Sequence, residues 1–237
     1  GNASILRAAS ASVGTFHPLR RGVGYFTGRG GTIGWLVNDK AVAVIDTQFP
    51  PTAKACLAGL PDRGKRMIDV VLNTHHHGDH THGNYLTHPA TIIGHVRCRD
   101  LVIASGTPDF GNIWDGPEWG AIEIAPPFVT FDDHLTVWTG DICSELHYIG
   151  TPAHTTNDIV AYLPEQKVLF SGDLVVDVAA HEVRRGDTPI ALTPLEFELL
   201  VALAEKPQQV FSREMLLEQV WGYHYKADTR LVNVHVQ

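Results

Sequence analysis

Apolar residues fall into short strand-like runs over most of the chain and switch to helical spacing only after Thr193. From Val23 the runs Val23 to Thr27, Thr32 to Val37 and Ala41 to Ile45 are separated by Gly28-Arg29-Gly30-Gly31 and Asn38-Asp39. This predicts a β-meander ending at Asp46. Pro50-Pro51 opens a short helix with Ala53, Cys56, Leu57 and Leu60 at helical spacing, closed by Pro61 and Gly64. The β-branched run Met67 to Asn73 predicts a buried strand. Further strands are expected at 91–96, about 128–138, 144–149, 158–163 and 167–171, with Asp132-Asp133 and Pro164-Glu165 as turns. Residues 1–20 are Ala/Ser-rich without periodicity and predict a tail or an edge-covering segment. Residues 106–120, rich in Gly, Pro and Trp, predict an irregular loop roofing a pocket, with Trp114 and Trp119 packed on the core.

Beyond Leu174 the pattern changes. Val175 to Val178 and Glu182 to Leu192 read as strands joined by a tight turn. Thr193 is then an N-cap, with Pro194 at the first helical position and Glu196 three residues after the cap. Phe197, Leu200, Val201 and Ala204 form one apolar face, and Lys206-Pro207 stops the helix. Ser212 caps a second helix that ends at Gly222, and Asp228-Thr229 could cap a third.

Composition bounds these elements without explaining them. The 237 residues are 44% hydrophobic, enough to bury a real core in one large domain or two small ones. There is no apolar run of the ~20 residues that a membrane-spanning helix needs and no secretory h-region near the start, so no membrane role and a cytoplasmic setting are expected. Cys56, Cys98 and Cys143 are widely spaced and form no metal or redox pair, which favours free thiols. The net charge of −8 gives no global basic footprint for nucleic acid.

The chemistry is concentrated in Thr74-His75-His76-His77-Gly78-Asp79-His80-Thr81-His82-Gly83-Asn84, which places five histidines and an aspartate in eight positions. Imidazole and carboxylate are borderline ligands suited to zinc, and His75-x-His77-x-Asp79-His80 has the spacing to feed two neighbouring ions. A compositional histidine tract would lie near a terminus. This one is internal, follows a predicted strand and is interrupted by Gly78 and Asp79. His154, in Gly150-Thr151-Pro152-Ala153-His154, and Asp173, closing Val168-Leu169-Phe170-Ser171-Gly172-Asp173, are polar residues at strand ends.

Taken together, these residues resemble the metallo-β-lactamase superfamily over about residues 20–175. The resemblance implies an αββα sandwich with the site on loops at one edge. It makes His75, His77 and His154 the ligands of a first metal, and Asp79 and His80 ligands of a second, with Asp173 bridging and Asp46 bracing the histidine loop. It also implies hydrolysis. Zinc ions would lower the pKa of a shared water and polarise the scissile group, while Asp79 holds or relays the proton. A bridging aspartate is similar to the thioesterase, lactonase and general hydrolase branches and argues against true β-lactamases, so an ester, thioester or lactone-like substrate is expected. The family's final histidine, a ligand of the second metal, has no counterpart. His181 comes too soon after Asp173, and His224 and His235 belong to another pattern. One tightly bound zinc is therefore expected, with a weaker second, and activity is expected to suffer accordingly.

That other pattern is Leu192-Thr193-Pro194-Leu195-Glu196-Phe197-Glu198-Leu199-Leu200, Phe211-Ser212-Arg213-Glu214, Val220-Trp221-Gly222-Tyr223 and Asp228 to Val236. It resembles the DNA-binding domain of OmpR/PhoB-type response regulators, most nearly their MtrA-like branch, over about residues 175–237. In that family a third helix enters the major groove and a hairpin wing follows. Arg230, Val234 and His235 match DNA-facing positions, whereas the rest of that helix and the wing would lie beyond Gln237. Residues 178–237 carry six Lys/Arg against eight Asp/Glu, a net charge of −2, so DNA is expected to be a weak partner at most. The expected fold class is α+β: an incomplete sandwich over residues 1–174, lacking its last strand and helices, followed by a truncated winged helix-turn-helix over 175–237. Three functions follow: a zinc hydrolase, a DNA-binding regulator, or a metal-dependent sensor in which the first part controls the second.

Overall fold

The computed structural model describes residues 13–106, 121–150, 153–204, 209, 211–222 and 232. The proposed roof 106–120 with Trp114 and Trp119, the stop at Lys206-Pro207, the cap at Asp228-Thr229, and Arg230, Val234 and His235 lie outside the described residues, apart from Gly106.

Two sheets of seven strands make the core. The first contains β1 (Thr15–Arg20), β2 (Val23–Thr27), β3 (Thr32–Val37), β4 (Val42–Ile45), β5 (Val70–Leu72), β6 (Thr91–His95) and β7 (Val129–Phe131), in that spatial order. It is antiparallel from β1 to β4 and parallel from β4 to β7. The parallel part needs crossovers, and α1 (Pro50–Gly59) lies within the first of them. The second sheet contains β8 (His134–Thr139), β9 (Ile142–Tyr148), β10 (Ile159–Leu163), β11 (Val168–Ser171), β12 (Leu174–Asp177), β13 (Glu182–Arg185) and β14 (Thr188–Ile190), all antiparallel neighbours.

The period-2 alternation of side chains explains how the layers stack. Ala43 and Ile45 of β4 face inward onto Leu146, Ile159, Ala161 and Phe170 of the second sheet, in one core between the sheets. Val42 and Val44 face outward, where α1 covers them with Cys56 and Leu60. Both faces of β4 are thus buried, which is why its sequence is continuously apolar. On the second sheet Val160, Leu169, Val176 and Val183 point outward and are covered by Phe197, with Leu200, Val201 and Ala204 beside it. Those four residues are one face of α4 (Pro194–Ala204). The order of layers is therefore helix, sheet, sheet, helix.

The sheet does not break where the sequence changes character. β12 starts at Leu174, pairs with β11 along its length and carries β13 and β14 outward. Arg20 of β1 reaches across to the Asp177 carboxylate and to the Gln166 carbonyl. The predicted capping box at α4 is present, with Thr193 N donating to Glu196 Oε2 at 2.7 Å and Glu196 N to Thr193 Oγ1 at 3.4 Å. Ser212 caps α5 (Arg213–Trp221), and Gly222 ends it in the left-handed conformation. Leu199, on the other side of α4, packs with Leu216, Leu217 and Val232.

Three local readings change. Residues 15–20, expected within a tail or an edge-covering segment, form the edge strand of the first sheet, Glu182 to Leu192 contains two strands turning at Gly186, and α3 (Val96–Ser105) follows β6. The strand expected over 67–73 is shortened to Val70–Leu72. The three cysteines are free, and burial pushes the Cys56 thiol up to about 12. Among the described residues no helix is long and apolar enough to cross a membrane.

Candidate metal centre

The histidine stretch begins where β5 ends. Asn73 N donates to Ile93 O, and Asn73 is joined to Asn84 by side-chain hydrogen bonds of 2.8 and 3.2 Å, so both ends of the stretch are tied together. Between them α2 (Gly78–Thr81) makes one turn and aims Asp79 and His80 toward the sheet edge. Two loops of the second sheet complete the site: 153–158 brings His154, and the turn after β11 brings Asp173.

Asp46 is the buried centre of this arrangement. Its Oδ1 accepts from Thr74 N at 2.8 Å, and its Oδ2 accepts from Thr74 Oγ1 at 2.5 Å and lies 2.8 Å from His80 Nδ1. The residue takes a positive φ of 61°, a sparsely populated conformation that asparagine and aspartate tolerate best. With Nδ1 directed at Asp46, His80 presents Nε2 to Asp173 Oδ1 at 3.3 Å and to Asp79 Oδ2 at 3.6 Å. Two glycines make room. A Cβ on Gly31 would lie 2.2 Å from His80 Cε1, and Gly172, at φ +61°, passes the His75 ring.

The six residues gather into two donor groups. His75, His77 and His154 form one, and Asp79, His80 and Asp173 the other, each with ligand atoms within 4.8 Å of one another. In the first, His77 Nδ1 lies 3.2 Å from His75 Nε2 and 3.1 Å from His154 Nε2. One proton on His77 cannot serve both neighbours, and charging the rings is disfavoured. Burial lowers the His75 pKa, followed by repulsion from His80, His77 and His154, and burial likewise lowers His77. Converging neutral imidazole lone pairs fit a cation. In the second group, burial alone would lower His80, but the Asp46 carboxylate, hydrogen bonds to Asp173 and Asp46, and nearby Asp79 together raise it to about 10. The His80 hydrogen bond in turn holds Asp173 below the usual carboxylate range. Three carboxylates around one ring make a site that favours positive charge. Among the described residues no further histidine joins this group.

Contacts that the sequence did not reveal hold the loops together. Asn157, fully buried, donates through Nδ2 to His76 Nδ1 at 2.9 Å and to Thr155 Oγ1 at 2.9 Å, linking the histidine stretch to the His154 loop. Asp158 Oδ2 accepts from Thr155 N at 2.5 Å. The Thr-Thr-Asn-Asp run after His154 is a legible turn signal, but its partner across the sheets is not. The cleft at the site is lined by Thr74, His75, His154, Asp158, Asp173 and Arg185, among others.

Comparison with known proteins agrees with both parts of the chain. Residues 26–203 match the metallo-beta-lactamase superfamily, and residues 187–237 match the C-terminal domain of transcriptional regulatory proteins. The two matches overlap over residues 187–203, which include all of α4 but its last residue. A metallo-beta-lactamase from Pontibacter korlensis superposes with a TM-score of 0.58 at 20% identity, covering 82% of this chain and 87% of that one. BJP-1, a subclass B3 metallo-beta-lactamase of Bradyrhizobium japonicum, gives 0.50 at 21%, covering 62% and 56%. At these identities the likeness is one of fold. The DNA-binding response regulator MtrA of Mycolicibacterium smegmatis is 66% identical over 71 residues, 30% of this chain and 31% of that protein. The transcriptional regulatory protein CseB of Streptomyces avermitilis is 49% identical over 91 residues, 38% of each. The chain spans only about a third of these regulators. A sandwich with its histidine stretch at one sheet edge, continuing into an OmpR/PhoB-type domain, makes this chain a member of the metallo-beta-lactamase superfamily.

Proposed function

We propose that the chain is a zinc-dependent hydrolase of ester, thioester or lactone-like bonds. The observation that carries this is the pairing of a three-imidazole group with an Asp-His-Asp group at one sheet edge. His75, His77 and His154 would hold a first ion, and Asp79, His80 and Asp173 a second, with Asp173 as the bridge. When bound, zinc supplies Lewis acidity and makes water a nucleophile near neutral pH. Asp79, partly exposed beside His80, is positioned to hold or relay a proton, and Asp46 beside Nδ1 fixes the ring so that Nε2, on giving up its proton, would face a cation. The carboxylate at 173 favours the esterase, thioesterase and lactonase type of substrate. A panel of esters, thioesters, lactones and a cephalosporin, tested with zinc and after chelation, checks this. Zinc-dependent turnover of the first three classes is expected. Hydrolysis of the cephalosporin alone would overturn the substrate assignment.

The DNA-binding domain favours a different reading, a regulator, but two observations weigh against strong DNA binding by this chain. Residues 178–237 carry a net charge of −2, and the apolar face of α4 is taken up by the hydrolase sheet. We expect no sequence-specific complex at ~0.15 M salt. A gel shift that survives nonspecific competitor DNA would contradict this.

A further inference from the structure

The cleft beside the donor groups is built from several strand ends. Its volume is about 270 Å³, and its walls include Thr74, His75, His154 and Asp173 from the hydrolase stretch, with Leu174 and Arg185 from β12 and β13. Arg185 lies within residues 26–203, two positions before the regulator match begins at 187, and is in register with Leu174. Its neighbour Arg184 alternates to the other face and donates to the Asp187 carbonyl at 2.6 Å. The Arg185 side chain makes no hydrogen bond or ion pair among the described residues, and it is exposed at the cleft.

We infer that Arg185 anchors a carboxylate on the substrate, so that this cleft selects monoanionic ester, thioester or lactone-like molecules over neutral ones. A guanidinium offers a planar fork that matches a carboxylate with two parallel hydrogen bonds. Asp173 and Asp158 also line the cleft, and two acids beside the Arg185 guanidinium suit a singly charged group better than a dianionic phosphate. The scissile bond in this inference rests on the hydrolase reading; the anion anchor does not.

The test uses the full chain loaded with zinc and two poorly hydrolysed probes, glutaric acid monoanilide and its methyl ester, titrated by calorimetry. The acid is expected to bind at least about tenfold more tightly than its ester, a difference of about 1.4 kcal/mol. Arg185→Ala should abolish that preference and Arg185→Lys should keep part of it, with zinc content unchanged in both. The inference is overturned if the wild-type chain binds the two probes equally or binds neither. It is also overturned if Arg185→Ala keeps the full preference, because the carboxylate would then be held by the metal or another group. Preference for the acid without turnover of the matching 4-nitrophenyl ester would sustain the anchor and sink the hydrolase reading.

Discussion

His77→Ala is expected to reduce hydrolysis to the background rate and to lower the melting temperature in zinc-containing buffer. His77 Nδ1 lies 3.2 Å from His75 Nε2 and 3.1 Å from His154 Nε2, so its removal leaves two donors where three converged. Neutral three-nitrogen sites hold zinc tightly. A ligand present at a thousand times its Kd stabilises the folded state by about 4 kcal/mol, and the variant should lose most of that. The comparison must include both proteins without metal. There the difference should shrink, because His77 is only half-buried and its ring supports little packing. Unchanged zinc content and rate in the variant would remove His77 from the site.

Phe197→Ala is the second large effect, and it addresses how the two parts of the chain are joined. Phe197 is 4% exposed and lies against Val160, Leu169, Val176 and Val183, so the loss should be about 3–5 kcal/mol, as for other buried phenylalanines. Leu169 belongs to β11, three residues before Gly172, and Val160 to β10, which follows the His154 loop. We propose that residues 175–204 complete the hydrolase sandwich, supplying its outer strands and one of its covering helices. Melting should then remain one cooperative transition that moves down as a whole, with reduced zinc retention. An unmoved hydrolase transition beside a destabilised C-terminal one would show that the two parts fold separately.

The legible and illegible parts of this structure differ for physical reasons. β2, β3 and β4 announce themselves because glycine and Asn-Asp turns separate runs that are buried on both faces. β1 does not, since its residues are half-exposed at a sheet edge, include Pro18, and shift register between Pro18 and Arg20. α3 was equally hidden. Its cap is the His95 side chain, accepting from Arg97 N, in place of the usual Ser, Thr, Asp or Asn. Within the site, residue type and spacing pointed to His75, His77, Asp79 and His80, and resemblance added Asp46, His154 and Asp173. The structure brings all seven to one sheet edge. Asn157 and Arg185 carried no such signal, because their meaning comes from contacts across the sheets: Asn157 reaches His76, 81 residues away, and Arg185 lines a cleft built from several strand ends. Continuous pairing from β11 to β14 was hidden for a related reason, since antiparallel strands with short turns look alike whichever sheet they join.

The central claim is that these side chains form a metal centre, and counting the metal tests it most directly. Native mass spectrometry of the purified chain, after zinc loading and mild dialysis, should show close to one zinc per chain, with His154→Ala well below that. A second, weaker equivalent should appear only with zinc in the buffer, because Asp79, His80 and Asp173 lack a further described histidine. A wild-type chain that retains no zinc under these conditions would contradict the account.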